Sequence, residues 1–160
     1  MKIATTRFGE VEIDDKKILT FPQGIPGFEN VGRYTLISHE KTYPISWLQA
    51  VDIPHISLPV IDPFLILPEY AFDVSDNDVA DLSLSAKGDL YILSVVVIPE
   101  DVKKMTANLS APILINVRTN LGKQIIIDGR DYELRRPIFE RVCKQFREVN
   151  RDAGADPKNK

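Results

Sequence analysis

The stretch ILINVRTNLGKQIIID, residues 113–128, decides the fold class that this sequence predicts. Two runs rich in β-branched residues, 113–119 and 123–128, lie on either side of a short link at 120–122 that ends in glycine. A polar, glycine-containing link between two such runs is typical of a β-hairpin. We therefore expect two antiparallel strands here, joined by a turn at residues 120–122.

Further short strands are predicted on the N-terminal side of this hairpin. In ISWLQAV, residues 45–51, alternate side chains fall on two faces, and we expect the single tryptophan, Trp47, to lie in the core. YILSVVVI, residues 91–98, is apolar on both faces, which indicates a central strand. Prolines keep the strands short, because a central strand tolerates proline poorly. The chain is thus predicted to be all-β, with a small closed or nearly closed antiparallel β-barrel-like domain over residues 1–134.

The segment PIFERVCKQFREVNR, which begins at Pro137, follows a helical period instead. It predicts a C-terminal amphipathic helix within residues 135–151, followed by a disordered tail at residues 152–160. Its apolar stripe either covers the open end of the barrel or binds a partner. We favour the first, because most amphipathic helices pack on their own core. The stripe consists of Ile138, Val142, Phe146 and Val149.

Length and composition fit one ordinary globular domain. The chain has 160 residues, of which 44% are hydrophobic and 27% charged. No apolar run approaches the ~20 residues of a membrane helix, and the N-terminus lacks the apolar region of a signal peptide. The lone Cys143 excludes an intrachain disulfide. We therefore expect a cytoplasmic protein that does not bind membranes.

Charge is unevenly distributed along the chain. Residues 1–100 contain 7 Lys+Arg and 15 Asp+Glu, whereas residues 101–160 contain 13 and 8. The acidic excess is greatest in EYAFDVSDNDVAD, residues 69–81, where five carboxylates occur without a basic residue. Such asymmetry attracts a basic partner to one face if folding keeps the charges together. Taken alone, the run is more simply interpreted as a solvated loop.

FPQGIPGFE, residues 21–29, raises the question of a phosphate-binding loop. Such a loop needs glycines that open a helix, usually with a lysine that reaches the phosphates. Here Pro26 removes a backbone donor, no lysine follows, and the next residues predict a strand. A turn is therefore the better interpretation.

No motif indicates catalysis, a cofactor or a metal ion. His39 and His55 lack a second His or Cys at the spacing of zinc ligands. Residues 73–81 resemble the start of a calcium loop, but Asp78 replaces the required glycine and Leu84 the final glutamate. We therefore expect no catalytic, cofactor-binding or metal-binding residues and no enzyme activity.

Several stretches together resemble one family, the flagellar assembly factor FliW. The resemblance runs from about Met1 to Tyr132, in the order and spacing of the family, and each piece alone would be weak. The stretches are FGEVEI at 8–13, FPQGIPGFE at 21–29, WLQAV at 47–51, IDPFLILPEY at 61–70 and MTANLSAPILINVRTNLGKQII at 105–126.

This resemblance implies a compact, β-barrel-like cytoplasmic protein without enzyme activity and with two protein partners. One is newly made flagellin, bound in a chaperone-like way. The other is CsrA, the carbon storage regulator, a dimeric RNA-binding repressor of flagellin translation. The resemblance implies that the protein is an allosteric antagonist of CsrA, that secretion of flagellin frees it for CsrA, and that it does not bind RNA itself.

Six residues are predicted to contact CsrA or flagellin, because they combine aromatic anchors with acidic or amide groups. Gln49, Asp62 and Asn108 have the alternative role of capping turn amides, and Phe64 is expected to fill the core. The six predicted contact residues are Phe28, Glu29, Gln49, Glu69, Tyr70 and Asn108.

Two other functions stay open. In the first, the barrel interior holds a small molecule, which requires a large apolar cavity. In the second, the barrel binds RNA directly, although its β-rich part is acidic and the basic residues lie mainly near the C-terminus.

Overall fold

The computed structural model describes the backbone of residues 1–154 and the side chains of residues 1–150 except Lys87. Strands and two α-helices make up most of the regular structure. The strands are β1 (Lys2–Thr5), β2 (Gly9–Glu12), β3 (Leu19–Thr20), β4 (Arg33–Ser38), β5 (Ser46–Ala50), β6 (Ser57–Ile61), β7 (Leu90–Val97), β8 (Thr106–Ala107), β9 (Ile113–Asn116), β10 (Leu121–Gln124) and β11 (Arg136–Pro137). The α-helices are α1 (Asp76–Asp81) and α2 (Phe139–Gly154). Short 3-10 helices span Asp15–Lys17, Pro63–Leu65, Lys87–Asp89 and Val102–Lys104.

Seven of the strands close into a barrel. They follow the order β3-β4-β5-β6-β7-β9-β10, and β10 pairs with β3 to complete the ring. Every neighbouring pair in the ring is antiparallel except this last one, which is parallel and joins Leu121 to Thr20. The predicted closed barrel is confirmed, with one parallel pair where we expected antiparallel pairing throughout. Closure removes the unpaired edges that an open sheet would expose.

Side chains fill the barrel interior. Along β5, Leu48 and Ala50 belong to the interior cluster, whereas Trp47 belongs to a cluster on the outer face, so the predicted alternation and the buried tryptophan are confirmed. A filled interior counts against the small-molecule alternative, because a ligand would need that space. The other buried members of the interior cluster are Leu19, Phe21, Ile25, Val31, Tyr34, Val60, Leu93, Ile113 and Ile115.

Three segments cover the apolar outer face of the barrel. The β1–β2 hairpin contributes Ile3 to one outer cluster, and the α1 segment contributes Leu82 to a second. Ile138 and the start of α2 cover a third cluster, which contains Trp47 and Ile61. Each fully buried aliphatic side chain stabilises the fold by about 1.5–3 kcal/mol, so these covers are part of the core rather than appendages.

The predicted hairpin at residues 113–128 forms between β9 and β10, but its turn lies earlier than expected. Residues 117–120 make the turn, and Asn120 takes a positive φ of 58°, which asparagine tolerates well. Gly122 lies inside β10, where a Cβ atom would come within 2.6 Å of a ring carbon of Phe21. The glycine therefore makes room for an interior ring and does not form the turn.

The C-terminal helix exists, but its bounds differ from the prediction. Pro137 belongs to β11 and pairs with Thr106, so the helix starts at Phe139 and not in the proline's own turn. It continues to Gly154, which makes the first residues of the predicted tail helical. The rest of that tail, residues 155–160, lies outside the described residues.

Only the first half of the predicted apolar stripe packs on the barrel. Ile138 is buried, and Val142 packs against the outer cluster that contains Trp47. In contrast, Phe146 is 37% exposed and Val149 is 43% exposed. The expectation that the whole stripe packs on the body is therefore corrected for these two residues: neither joins the cluster that Val142 packs against, and Phe146 lines an open groove with Trp47.

Candidate functional site

GIPGFE, residues 24–29, is a turn. Gly24 and Gly27 adopt φ values of +68° and +91°, which only glycine accepts at little cost. A carboxylate oxygen of Glu29 accepts a hydrogen bond from the Gly27 N–H at 2.9 Å. This hydrogen bond lowers the pKa of Glu29, and a hydrogen bond from the Glu29 N–H lowers it further by a smaller amount. The chain then enters β4 and not a helix, as expected for a plain turn.

Phe28 and Asn108, two of the predicted contact residues, line one small groove of about 290 Å³. The ring of Phe28 is half-buried against the interior cluster. The amide oxygen of Asn108 accepts hydrogen bonds from the N–H groups of Ser110 at 3.0 Å and Ala111 at 3.1 Å. Asn108 therefore caps a turn, and the exposed apolar side chains of this groove are Val97, 60% exposed, and Leu134, 59% exposed, beside the half-buried Phe28 ring.

Gln49 is fully buried, so it cannot contact a partner in this conformation. Its Nε2 donates to the carbonyl oxygens of Ala50 at 3.1 Å and Pro54 at 3.2 Å. The Pro54 oxygen also accepts from the Thr6 N–H at 2.9 Å, which ties the β1–β2 hairpin to the same loop. The prediction of Gln49 as a contact residue is thus corrected: its amide joins the hairpin to the barrel.

Tyr70 is also buried, although its neighbourhood reaches the surface. Its hydroxyl donates to the Leu109 carbonyl oxygen at 2.6 Å. Its ring centroid lies 5.9 Å from that of Phe64, 5.4 Å from Phe72 and 4.7 Å from Tyr132. Burial, and then the proximity of Tyr132, raises the pKa of Tyr70. The prediction that Tyr70 contacts a partner is corrected, since its ring supports those around it.

The rings around Tyr70 share a groove with one unpaired carboxylate, and two more follow or precede it within a few residues of the chain. Phe64 is 40% exposed, so the expectation that it fills the core is wrong, and Phe72 is half-buried. Both rings line an apolar groove of about 350 Å³ together with Asp73. Glu69, Asp73 and Asp76 are exposed, and none of the three forms an ion pair with a described residue. We call these five residues the acidic–aromatic surface.

The remaining carboxylates of the acidic run meet a base that the sequence order hides. Nζ of Lys123 lies 2.7 Å from a carboxylate oxygen of Asp78 and 2.7 Å from one of Asp81. The hydrogen bond that Lys123 donates lowers the pKa of Asp81, and donation to the carboxylates of Asp78 and Asp81 raises the pKa of Lys123. α1 is thus fixed to β10, and the free charge of the run is reduced to three carboxylates.

The six predicted contact residues do not form one surface. Glu29 is exposed beside the glycine turn, Glu69 is exposed on the acidic–aromatic surface, and the others lie as described above. Sequence reasoning missed Phe64 and Phe72. A signal for Phe64 existed: the order Asp62-Pro63-Phe64 is that of a capped turn, and the Phe64 N–H donates to the Asp62 carboxylate at 2.9 Å. Turns lie on the surface, so the aromatic ring had a reason to be exposed.

Within the described residues, no group of three or more His, Cys, Asp or Glu is placed to hold a metal ion. The stretch that resembles a calcium loop contains α1, with Ser75 as its N-cap. Neither α-helix, over the residues described, combines the length and apolar character that a membrane span requires.

These features define a class of protein: a small closed β-barrel with a filled interior, whose candidate binding residues lie on its outer surface. The family model described as FliW protein matches residues 2–138, and the chain therefore belongs to the FliW family. This finding confirms the resemblance stated from the sequence.

Individual relatives agree over nearly their whole length. A flagellar assembly factor FliW of Alkaliphilus metalliredigens is 38% identical over 156 residues, which are 97% of this chain and 96% of the relative. One of Thermoanaerobacter pseudethanolicus is 39% identical over 147 residues, covering 91% and 98%. A crystal structure of the flagellar assembly factor FliW superposes with a TM-score of 0.80 at 36% identity, covering 87% of this chain and 97% of that one.

Proposed function

We propose that this protein is a cytoplasmic, non-enzymatic regulator of flagellin synthesis. It binds CsrA as an allosteric antagonist and thereby relieves the repression of flagellin translation. It also binds newly made flagellin in a chaperone-like way, and secretion of flagellin frees it for CsrA. Membership of a family whose relatives are described as flagellar assembly factors supports a role in flagellar assembly.

The acidic–aromatic surface is the observation that carries the CsrA part of the proposal. A protein that binds RNA presents basic side chains to the phosphates, so free carboxylates complement it. Glu69, Asp73 and Asp76 supply such carboxylates, and Phe64 supplies an exposed ring. Aromatic side chains that are desolvated at the centre of an interface carry much of its binding energy.

Charge and aromatic contact have separate effects in this proposal. Exposed carboxylates accelerate association with a basic partner, and salt screens them over about 8 Å at physiological ionic strength. The ring of Phe64 slows dissociation, because separation of the complex returns the ring to water and loses the free energy that its burial provided. When the protein is bound to CsrA, the three carboxylates make the electrostatic potential near the RNA site more negative. They thereby weaken phosphate binding without touching RNA.

A titration of the CsrA–RNA complex tests this function. A labelled flagellin leader RNA is bound to CsrA, and the protein is added to saturation while RNA anisotropy is followed. We expect RNA release, and we expect the apparent Kd for RNA to level off as the protein concentration increases, since an allosteric antagonist does not share the RNA site. RNA that stays bound at saturating protein would overturn the proposal, and an apparent Kd for RNA that increases in proportion to protein concentration without limit would overturn its allosteric part.

The same RNA without CsrA is the control for the direct RNA-binding alternative. We expect no filter binding of the leader RNA by this protein at micromolar concentration. If this protein binds the leader RNA without CsrA, and binds it more tightly than it binds CsrA, the protein is a direct RNA binder and not an antagonist of CsrA. A pull-down with purified flagellin then tests the chaperone-like part independently of CsrA.

A further inference from the structure

A second surface feature lies beside α2 and has no part in the proposed function. It is an open groove of about 570 Å³, a size within the range of about 300–1,000 Å³ that ligand sites occupy. We call it the α2 groove. Its lining residues are Lys41, Thr42, Tyr43, Ile45, Trp47, Ile98, Val102, Met105, Val142, Cys143, Phe146 and Arg147.

The α2 groove keeps large apolar side chains in contact with water. Phe146 is 37% exposed, Tyr43 38%, Ile98 37% and Val102 47%. They come from four separate segments, so the fold concentrates them in one place. Single exposed apolar residues are ordinary, but a contiguous apolar patch marks an interaction site in a soluble protein.

The walls of the groove suit a helix better than a strand. A strand would need an unpaired sheet edge, but Trp47, the lining residue within a strand, pairs with Ile37 on one side and Pro59 on the other. Val142 and Phe146 lie one turn apart on α2 and form a ridge along one face. A second helix can place its own side chains beside such a ridge.

Charge further restricts the occupant. Lys41 and Arg147 line the groove, and no carboxylate is among its lining residues in the described part of the chain. Basic residues at the border of an apolar groove attract acidic side chains that flank the apolar face of a ligand, and they oppose basic ones. This arrangement is opposite in sign to that of the acidic–aromatic surface.

We propose that the α2 groove binds an amphipathic helix of a partner protein whose apolar face is flanked by carboxylates. The apolar face enters between α2 and the segment from Tyr43 to Trp47. The carboxylates of the partner face Lys41 and Arg147. This inference stands apart from the CsrA proposal, because no residue of the acidic–aromatic surface lines the groove.

Trp47 provides a direct test, because the only tryptophan of the chain lines the groove. The probe is a synthetic helical peptide of about 16 residues, long enough to form a marginal helix in water. It carries Leu at i, i+3, i+4 and i+7 with Glu on both flanks, and its twin carries Lys in place of Glu. We expect the Glu peptide to shift the Trp47 emission and to bind at least about tenfold tighter than the Lys peptide.

Matched variants locate the binding. Phe146→Ser and Val102→Ser, on two walls of the groove, are each expected to weaken the Glu peptide at least about tenfold. Val149→Ser removes a similarly exposed apolar side chain from the same helix but outside the lining, and it is expected to leave binding unchanged. Circular dichroism melts check that each variant is folded. If Phe146→Ser does not fold, Val102→Ser alone decides whether the peptide binds in the α2 groove.

Three outcomes would overturn the proposal. The first is no binding of either peptide, and the second is equal binding of the two, which would remove the charge argument. In the third, sedimentation shows a dimer of this chain that Phe146→Ser dissociates, so that the occupant is a second copy. Arg147→Glu is expected to reverse the preference between the two peptides, and an unchanged preference would contradict the role assigned to Arg147 in attracting carboxylates.

Discussion

The acidic–aromatic surface and the α2 groove are two apolar regions on one barrel with opposite charge. The first joins Phe64 and Phe72 to three unpaired carboxylates, whereas the second contains Lys41 and Arg147 and no carboxylate among its described lining residues. They share no lining residue. Two such surfaces suit partners of opposite charge. Because side chains fill the interior of the barrel, both partners must bind on its outer surface.

The difference follows partly from the order of the chain. The acidic–aromatic surface comes from residues 64–76, within the acidic part of the sequence, and α2 with Arg147 comes from the basic part. Folding adds Lys41, a basic residue of the acidic part, to the α2 groove. Two basic residues pair across this division: Lys123 pairs with Asp78 and Asp81, and Arg118 pairs with Asp89. Folding therefore keeps the charge asymmetry of the sequence but reduces it on the acidic side.

The largest effect on stability is expected when the glycine turn at residues 24–29, which contributes Ile25 to the interior cluster of the barrel, is broken. Gly24→Ala would place a Cβ atom 2.6 Å from the Cα of Glu29 at a φ of +68°. Strain and overpacking should lower the free energy of unfolding by about 3 kcal/mol. Urea unfolding measures this. Gly88→Ala, where the Cβ would meet open space without a positive φ, is the control and should change little. A loss below about 1 kcal/mol for Gly24→Ala would show that the turn is not a rigid part of the scaffold.

A smaller effect is expected beneath the acidic–aromatic surface. Tyr70→Phe removes the hydroxyl that donates to the buried Leu109 carbonyl and keeps the ring. An unsatisfied buried acceptor costs about 1–3 kcal/mol, so we expect a loss of about 1–2 kcal/mol in thermal or urea unfolding. Tyr91→Phe is the control, since Tyr91 is 40% exposed and its hydroxyl can be solvated. Equal effects of the two variants would contradict the assigned role of the Tyr70 hydroxyl.

Lys123→Met should cost about 1 kcal/mol, the upper end of the range for exposed ion pairs, because the Lys123 and Asp78 side chains are only 19% and 16% exposed. The pKa of Asp81 is lowered from 3.8, so its contribution is complete above pH 3.8 and disappears as pH falls through the folded value. The pKa of Lys123 is raised from 10.5, so its contribution is complete below pH 10.5 and disappears as pH rises through the folded value. The stability difference from the unsubstituted protein should therefore form a plateau between these limits.

Melting curves measured across that pH range check the plateau. Lys17→Met is the matched control, because Lys17 is exposed and forms no ion pair with a described residue. A difference for Lys123→Met that is independent of pH down to the acid limit would mean that the lysine acts by packing and not by charge.

The smallest effect on stability is expected in the α2 groove. Phe146→Asp should change the free energy of unfolding by less than about 1 kcal/mol, because this side chain is already in contact with water. Val142→Asp, one turn earlier, should cost several times more, since Val142 packs against the cluster under α2. Equal losses in a thermal melt would show that the groove is closed in solution.

The sequence predicted the barrel better than the surfaces. The period-two pattern around Trp47 and the apolar run of β7 record burial directly, so the strands and the closed barrel could be inferred. The sequence analysis placed the turn at residues 120–122, too late in the chain, because it assigned Gly122 to the turn. Gly122 is instead a glycine because the Phe21 ring, distant in sequence, leaves no room for a Cβ atom, and local turn rules do not include that contact.

The same limit applies to the predicted contact residues. Tyr70 and Phe64 are both aromatic and close in sequence, yet their exposures are 3% and 40%. Which of the two rings is covered depends on Tyr132 and Leu109, far along the chain. Likewise, the pairing of Lys123 with α1 joins residues more than 40 positions apart, and no charge count along the sequence includes it.

The most direct test of the account compares the two surfaces in one assay, the release of a labelled leader RNA from CsrA. The variants are Glu69→Lys with Asp73→Lys and Asp76→Lys on the acidic–aromatic surface, and Phe146→Ser in the α2 groove, each verified as folded. We predict that the triple variant needs at least about tenfold more protein for half release, with a weaker salt dependence, and that Phe146→Ser behaves as the unsubstituted protein. Release that is unaffected by the triple variant, or lost only in Phe146→Ser, would contradict the account.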